Sequence, residues 1–490
     1  MYDYIVVGAG TAGCTLAARL TEHPETQVLL IEAGPPDRRR EIQIPAAYSK
    51  LLGTALDWQD STVSQEHLNT RRIPWPRGRV LGGSGSLSAM IHLRGLPSDY
   101  KSWPAGWQYD DLAPFFIDPP SRTPAEPNPL TQAFLEGCAS SGLAKYETAF
   151  DGPAKPGCGY YPLLEKNGAR WSAARSLLRT ALRRGNLTVW TGIQAARVVI
   201  EGGRATAVEY LQKGSRYRTE PTREVILCAG AVGSAHLLLL SGVGPLEELE
   251  PLGIPIAAAV PGVGRNLQDH LGVSLSYSCT QPVSLAGSAT PFNMVRYATR
   301  KDGPLASNVA EAGAFLRSKP DAGDDACDLE VVFAPLASLD ASLAPPGAHA
   351  FSLTAVLLQP QSQGRITLAS ADPLDSPLID PGYLSKPEDR ARLLEAISRA
   401  RAIAGSEPFT AYRGAVISGD LEAQAQSLHH ASGSCRMGDD SESVVDAALQ
   451  VHGVAGLRVA DASIMPQIPR VPPNATVAMI AERAARLIRG

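Results

Sequence analysis

The sequence predicts an α/β fold, α+β overall, whose first unit is a parallel sheet wound with helices. Three observations carry this. Residues 4–7, Tyr-Ile-Val-Val, form a short apolar run rich in β-branched side chains, as buried parallel strands do. Gly8-Ala9-Gly10-Thr11-Ala12-Gly13 follows directly, and residues 15–20 can continue from it as a helix. A second apolar run, residues 28–31, ends at Glu32 and completes a strand–turn–helix–strand unit.

The chain's 490 residues are too many for one small core and suit two interleaved domains. Apolar residues make up 44% and charged residues 19%, the balance of an ordinary globular enzyme rather than a disordered chain. A net charge of −4 favours neither nucleic acid nor an anionic membrane as a partner. The seven cysteines are scattered with no CxxC pair, which argues against a disulfide framework or a zinc site. The first strand starts within a few residues of Met1, so no signal peptide is expected. Apolar runs such as residues 237–240 are too short to span a bilayer. A reducing cytoplasm is therefore the expected location.

Residues 35–75 are Pro-rich and mixed, and read as a surface excursion; residues 117–130 read as a Pro-rich loop. Between residues 187 and 230, apolar runs separated by turns suggest a meander of strands. Residues 271–430 alternate apolar strands with Pro/Gly loops, with a helix after Pro387. Residues 476–488 form an amphipathic helix.

The glycine motif has the context that gives it meaning. Gly8 permits the tight turn, Gly10 lets the backbone approach a pyrophosphate, and Gly13 lets helix and strand pack closely. The helix N-terminus offers free N–H groups to phosphates. Glu32 is placed to accept ribose hydroxyls and would repel a 2′-phosphate, so NAD or FAD is favoured over NADP. The alternative is a Gly-rich turn with no ligand.

Five further segments separate NAD from FAD. Residues 77–90 read RGRVLGGSGSLSAM, residues 230–244 run from GAVGS to SGVG, and residues 261–270 read PGVGRNLQDH. Residues 430–438 read HASGSCRMG and residues 456–466 read GLRVADASIMP. Their order and spacing resemble the glucose–methanol–choline (GMC) family of FAD-dependent oxidoreductases. The resemblance implies a Rossmann-like FAD-binding domain interleaved with a substrate-binding domain built on an antiparallel sheet flanked by helices. Residues 1–155, 190–270 and 430–490 would form the first, and residues 156–189 and 271–429 the second.

The resemblance also implies a set of flavin contacts. Gly8, Gly10, Thr11, Ala12, Gly13, Glu32 and Ala33 fall in the first unit, and Arg79, Leu81, Gly82, Gly83, Ser84, Ser88, Ala89 and Met90 in the first signature. Val198, Ala229, Gly230 and Ser234 follow, then Asp461, Ala462, Asn474, Ala475 and Thr476 near the C-terminus. Asp461 reads either as a flavin contact or as a helix N-cap. Leu87 stands where some relatives form a histidyl link to FAD, so the FAD is expected to be non-covalent. No metal is expected.

Alcohol oxidation needs a base for the hydroxyl proton, a hydride acceptor over the carbon and a donor for the alkoxide. His430 falls on the family's catalytic histidine; the bland reading is a polar loop residue beside His429. His92, His236, His270 and His452 read as turn or packing histidines. A second His or Asn is usual ten residues before the Glu of the final helix, but counting back from Glu482 lands on Pro472, which has no side-chain donor. Either Asn474 substitutes as alkoxide donor or His430 works alone, and Arg470 is a third candidate, for binding an anionic or oxyanionic group. Ser88 replaces a usual Asn or His, and residues 117–128 replace a longer cover segment, which would leave the site more open.

The expected reaction is oxidation of a primary alcohol to the aldehyde, with aromatic and heterocyclic hydroxymethyl groups as candidate substrates. Dioxygen or a quinone or carrier would take the electrons. The alternative is a hydroxynitrile-lyase-type enzyme with structural FAD. Glu311 and Glu330 read as exposed strand carboxylates, with cation binding as the other reading.

Overall fold

The computed structural model describes residues 1–118, 121–122, 126–146, 150, 152–319, 326–337 and 347–490. Two sheets organise it. The first is a five-stranded parallel sheet in the order Leu457–Val459, Pro221–Leu227, Tyr2–Val7, Val28–Glu32, Leu187–Thr191. The register pairs Tyr4 with Val28 and Val6 with Leu30. Ile5, Val6, Val28, Leu29 and Leu30 are fully buried, which explains why both strands read as unbroken apolar runs.

The second sheet is antiparallel. Along its path lie Arg413–Ser418, Leu271–Cys279, Ala350–Leu357, Leu329–Ala334, Ala312–Leu316 and Gly157–Tyr160, with Ala425–Ser427 also on Leu271–Cys279. Helices Pro387–Gly405 and Pro129–Ser140 cover one face, burying Leu393, Ile397 and Phe134 against Val331, Phe333 and Leu353. The opposite face carries Phe315 and Val332, and Val332 lines a cavity that residues 8, 10, 11 and 12 of the dinucleotide motif also line.

The terminal helix Asn474–Arg489 packs against the first helix, Thr11–Leu20. Arg19 Nε donates to both Glu482 oxygens at 2.8 Å and ties the two ends of the chain together.

Three expectations need correction. Residues 187–230 are not one meander. Only Gln194–Glu201, Arg204–Gln212 and Ser215–Thr219 form an antiparallel three-stranded sheet, while the flanking strands join the parallel sheet. For the same reason the boundary expected at 189/190 falls inside the strand Leu187–Thr191. Residues 35–75 are not a surface excursion: Ile42, Leu51 and Trp75 are fully buried, and Tyr48, Trp58 and Trp75 wall a cavity. Residues 119–120 and 123–125 of the expected short cover lie outside the described residues.

Candidate active site

A cavity of about 760 Å³ runs between the two sheets. Its dinucleotide end is built on the first strand–turn–helix unit. Gly8, Gly10, Thr11 and Ala12 line it, and Gly13 sits just behind. A Cβ on Gly13 would stand 1.9 Å from the Gly8 carbonyl oxygen, so only glycine lets the helix pack this close. The first signature closes over the turn. A Cβ on Gly83 would lie 2.7 Å from Gly10 Cα, and Gly82 N–H donates to Ala9 O.

Glu32 lines the same end and is held by Ala9 N–H on Oε2 and Gly34 N–H on Oε1. Burial pushes its pKa up to about 7, and these two backbone donors pull it back. Ala33 and Arg79 also line the cavity, with the Arg79 guanidinium 4.9 Å from the Trp58 ring centroid. Ser84, Ser88, Ala89 and Met90 continue the wall, and Ala229, Gly230 and Ala462 form the far side. This end therefore presents glycine turns, a helix N-terminus and a carboxylate, as an adenine dinucleotide requires.

Asp461 reaches the wall, but its four hydrogen bonds are internal. Oδ2 accepts from Gly230 N–H and Ser234 Oγ, and Oδ1 accepts from the N–H and Oγ of Ser463. These bonds are those of the capping alternative: Asp461 caps the turn Ala462–Ile464 and anchors the start of helix Gly230–Leu240.

Several expected contacts lie off the cavity wall. Val198 is 2% exposed and its N–H is spent on Ser241 Oγ; Ile193 and Ala195, earlier in the same segment, face the cavity instead. Leu81 donates its N–H to Pro35 O. Ser234 is buried under Asp461, Ala475 is buried in the terminal helix, and Thr476 Oγ1 pairs with Tyr100 Oη at 2.8 Å. Gly82 likewise supports the turn from behind.

His430 and Pro472 line the other end of the cavity. His430 is held at two points by residues 269 and 270. Asp269 Oδ1 accepts the His430 backbone N–H at 2.8 Å, while its Oδ2 accepts from Tyr383 Oη and Ser427 Oγ. His270 Nδ1 lies 2.9 Å from His430 Nδ1, and His270 Nε2 lies 2.9 Å from Leu358 O.

These contacts assign the tautomers. A carbonyl only accepts, so His270 Nε2 carries the proton. Burial lowers the His270 pKa to about 4, so the ring is neutral and its Nδ1 is an acceptor. His430 Nδ1 must then donate, which leaves His430 Nε2 unprotonated. Desolvation, and then the neighbouring His270 and His429, also hold the His430 pKa well below the ordinary value. The site thus contains a neutral histidine whose remaining lone pair is free to take a proton. His270 was expected to be a turn or packing residue; it is buried against His430 through the Nδ1 contact. The signal lay in the DH pair of residues 261–270. His236, also read as packing, lines the cavity.

Asn474 does not pair with His430. Its Oδ1 accepts from Thr11 Oγ1 at 2.7 Å, tying it to the dinucleotide turn. Arg470 is not an anion site, because it is 4% exposed and its Nη1 meets Asp99 Oδ1 at 3.1 Å. Glu311 and Glu330 are not exposed strand carboxylates, since they are 1% and 5% accessible. Glu311 accepts from Asn128 N–H, Thr131 Oγ1 and Ser307 Oγ, anchoring helix Pro129–Ser140. Glu330 faces the cavity.

Arg170 braces the first signature. It is 1% exposed, its Nε donates to Ile42 O, and its Nη1 donates to Gly85 O and Ser88 Oγ. No helix among the described residues is long and apolar enough to cross a membrane.

Comparison with known proteins agrees with this geometry. Family models described as GMC oxidoreductase match residues 2–272 and 360–481. A GMC-type oxidoreductase of Mycobacterium tuberculosis is 40% identical, covering 99% of this chain and 99% of the relative. An alcohol dehydrogenase [acceptor] of Pseudomonas putida is 38% identical, covering 100% of this chain and 96% of the relative. The structure of pyridoxine 4-oxidase from Mesorbium loti superposes with a TM-score of 0.89 at 32% identity, covering 99% of both chains. The chain belongs to the GMC oxidoreductase family and is an alcohol-type oxidoreductase.

Proposed function

We propose that this protein oxidises a primary alcohol to the aldehyde, with His430 as the base and FAD as the non-covalent hydride acceptor. The observation that carries the reading is the His430–His270 contact, which leaves an unprotonated Nε2 on the cavity wall. FAD, when bound, supplies the hydride-accepting ring. Residues 8–12, Glu32 and Gly83 would hold its adenosine and pyrophosphate, and Ser88, Ala89 and Met90 lie toward the reacting end. Leu87 offers no nucleophile for a covalent link.

The chain's own part in the reaction is a proton transfer. His430 Nε2 takes the hydroxyl proton, and the resulting imidazolium keeps its Nδ1–H on His270 Nδ1, so the ring does not turn as it charges. Pro472 contributes shape and no proton, so His430 acts without the usual second His or Asn. Asn474 serves the dinucleotide end through Thr11.

The walls support a substrate class. Ala89, Ile91, Ala310 and Val332 make the chamber apolar, which suits an aromatic or heterocyclic hydroxymethyl group. The likeness to pyridoxine 4-oxidase supports that choice. The acceptor is dioxygen or a quinone or carrier; oxygen uptake against reduction of an artificial quinone separates them. We keep the cytoplasm as the proposed location and the two interleaved domains as the proposed division. Anaerobic mixing with benzylic, heterocyclic, sugar and aliphatic alcohols tests the reaction. Bleaching by the aromatic and heterocyclic members is expected; cyanohydrin cleavage without bleaching would favour the lyase alternative.

A further inference from the structure

Glu330 is a cavity-facing group that the proposed proton transfer does not use. It lies on Leu329–Ala334, a strand paired on both sides, with Phe315 opposite it on one neighbour and Val356 on the other. Two-residue alternation puts Glu330 on the same face as Val332, and both line the cavity. Tyr161 Oη donates to Glu330 Oε1 at 2.5 Å. Room for that hydroxyl comes from Gly313 on the neighbouring strand, where a Cβ would stand 1.7 Å from the Tyr161 oxygen. Two neighbouring strands and Tyr161, the residue after a third, thus supply one built carboxylate position.

A carboxylate has room for about four hydrogen bonds, and a buried one is costly unless they are made. Glu311, nineteen residues earlier, shows the satisfied case with three donors. Glu330 has the Tyr161 hydroxyl and otherwise faces a chamber walled by Ala89, Ile91, Ala310 and Val332. Burial raises its pKa to about 7. A cation in the chamber would restore the ionised form and use the remaining acceptor positions.

We propose that Glu330 determines substrate specificity by accepting a hydrogen bond from a protonated substrate nitrogen, a ring N–H of the pyridinium type being the class it fits. This rests on the alcohol-oxidation reading, in which the same molecule presents its hydroxymethyl group to His430. Apolar walls receive the ring, and Glu330 selects among rings of equal shape. A quaternary ammonium has no N–H for this carboxylate.

The test uses the flavin-loaded enzyme and two ligands of matching shape, 4-methylpyridine and toluene, neither of which carries a hydroxyl. Binding is read from the perturbed flavin absorbance, at a pH where the pyridine is partly protonated. Wild type should bind the pyridine about 10-fold or more tightly than toluene, the usual reach of a charge-assisted hydrogen bond. Glu330→Gln should remove most of that preference. Equal affinities in wild type, or a preference kept by Glu330→Gln, would overturn the proposal. The readout needs no turnover. A binding preference without alcohol oxidation would therefore count against the reaction assigned to His430 while supporting the role of Glu330.

Discussion

His270 Nδ1 lies 2.9 Å from His430 Nδ1, and this contact decides which nitrogen of His430 is left able to take a proton. Two neutral imidazoles can share such a contact only if one donates. The Leu358 carbonyl on His270 Nε2 makes His430 the donor. His430 is therefore neutral, with the tautomer that the proposed proton transfer needs. Because burial holds the His430 pKa well below its ordinary value, the proposed base stays neutral as pH falls below that value. The rate of flavin reduction should stay flat as pH falls through 6.5, the ordinary value for histidine, and drop only well below it. An acid limb centred at or above 6.5 in stopped-flow reduction would contradict the assignment.

If His430 is the base, His270 acts through it, and loss of His270 should show in the chemical step. His270→Phe leaves the His430 Nδ1–H without an acceptor and frees the ring to turn. Flavin reduction at saturating substrate should slow by roughly 10–100-fold, the range seen when a residue orienting a catalytic or metal-bound histidine is lost. Substrate affinity should change much less. His270→Asn, whose amide oxygen can accept in place of Nδ1, should recover part of the rate. A purely structural role would predict equal defects in both variants.

The glycine turn gives a spectroscopic prediction. Gly13→Ala places a methyl 1.9 Å from the Gly8 carbonyl oxygen, an overlap that only a backbone shift can relieve. That shift moves the turn facing the dinucleotide. The variant should purify folded by circular dichroism yet without the flavin absorbance of wild type.

Those features were legible because local sequence sets them. The turn at residues 8–13 and its two strands need only nearest neighbours, and the family segments single out His430 as a candidate. What escaped depends on layers that assemble late. Glu330 looks like a solvent-facing carboxylate until its strand is seen to be central, paired on both edges and covered on both faces. Arg470 looks like an anion site until Asp99, 371 residues away, is found against it. Val198 was placed three residues beyond Ala195, a shift that exchanges a cavity-facing position for one tied to Ser241. His270 carried a signal in its Asp-His pair, but its partner lies 160 residues downstream.

The Glu330 carboxyl also predicts a pH-dependent stability difference. Its folded pKa is raised to about 7 from 4.5, so the native state holds the proton between those values. The stability it contributes is full below 4.5 and is lost as pH rises through about 7. Glu330→Gln mimics the protonated form at every pH. For flavin-loaded protein without substrate, Tm of the variant minus Tm of wild type should be more positive at pH 8 than at pH 5. A difference of opposite sign, measured by thermal denaturation in matched buffers, would show that the carboxylate is stabilised where it lies.

The central claim is that His430 removes the hydroxyl proton while the alcohol carbon gives its hydride to FAD. The direct measurement is anaerobic flavin bleaching by a hydroxymethylpyridine, in wild type and in His430→Ala with its flavin spectrum intact. The account predicts full bleaching in wild type and a rate lower by about 10²–10⁴ in the variant, the usual contribution of a positioned base. Bleaching at the wild-type rate in His430→Ala, or none by any alcohol in wild type, would contradict it.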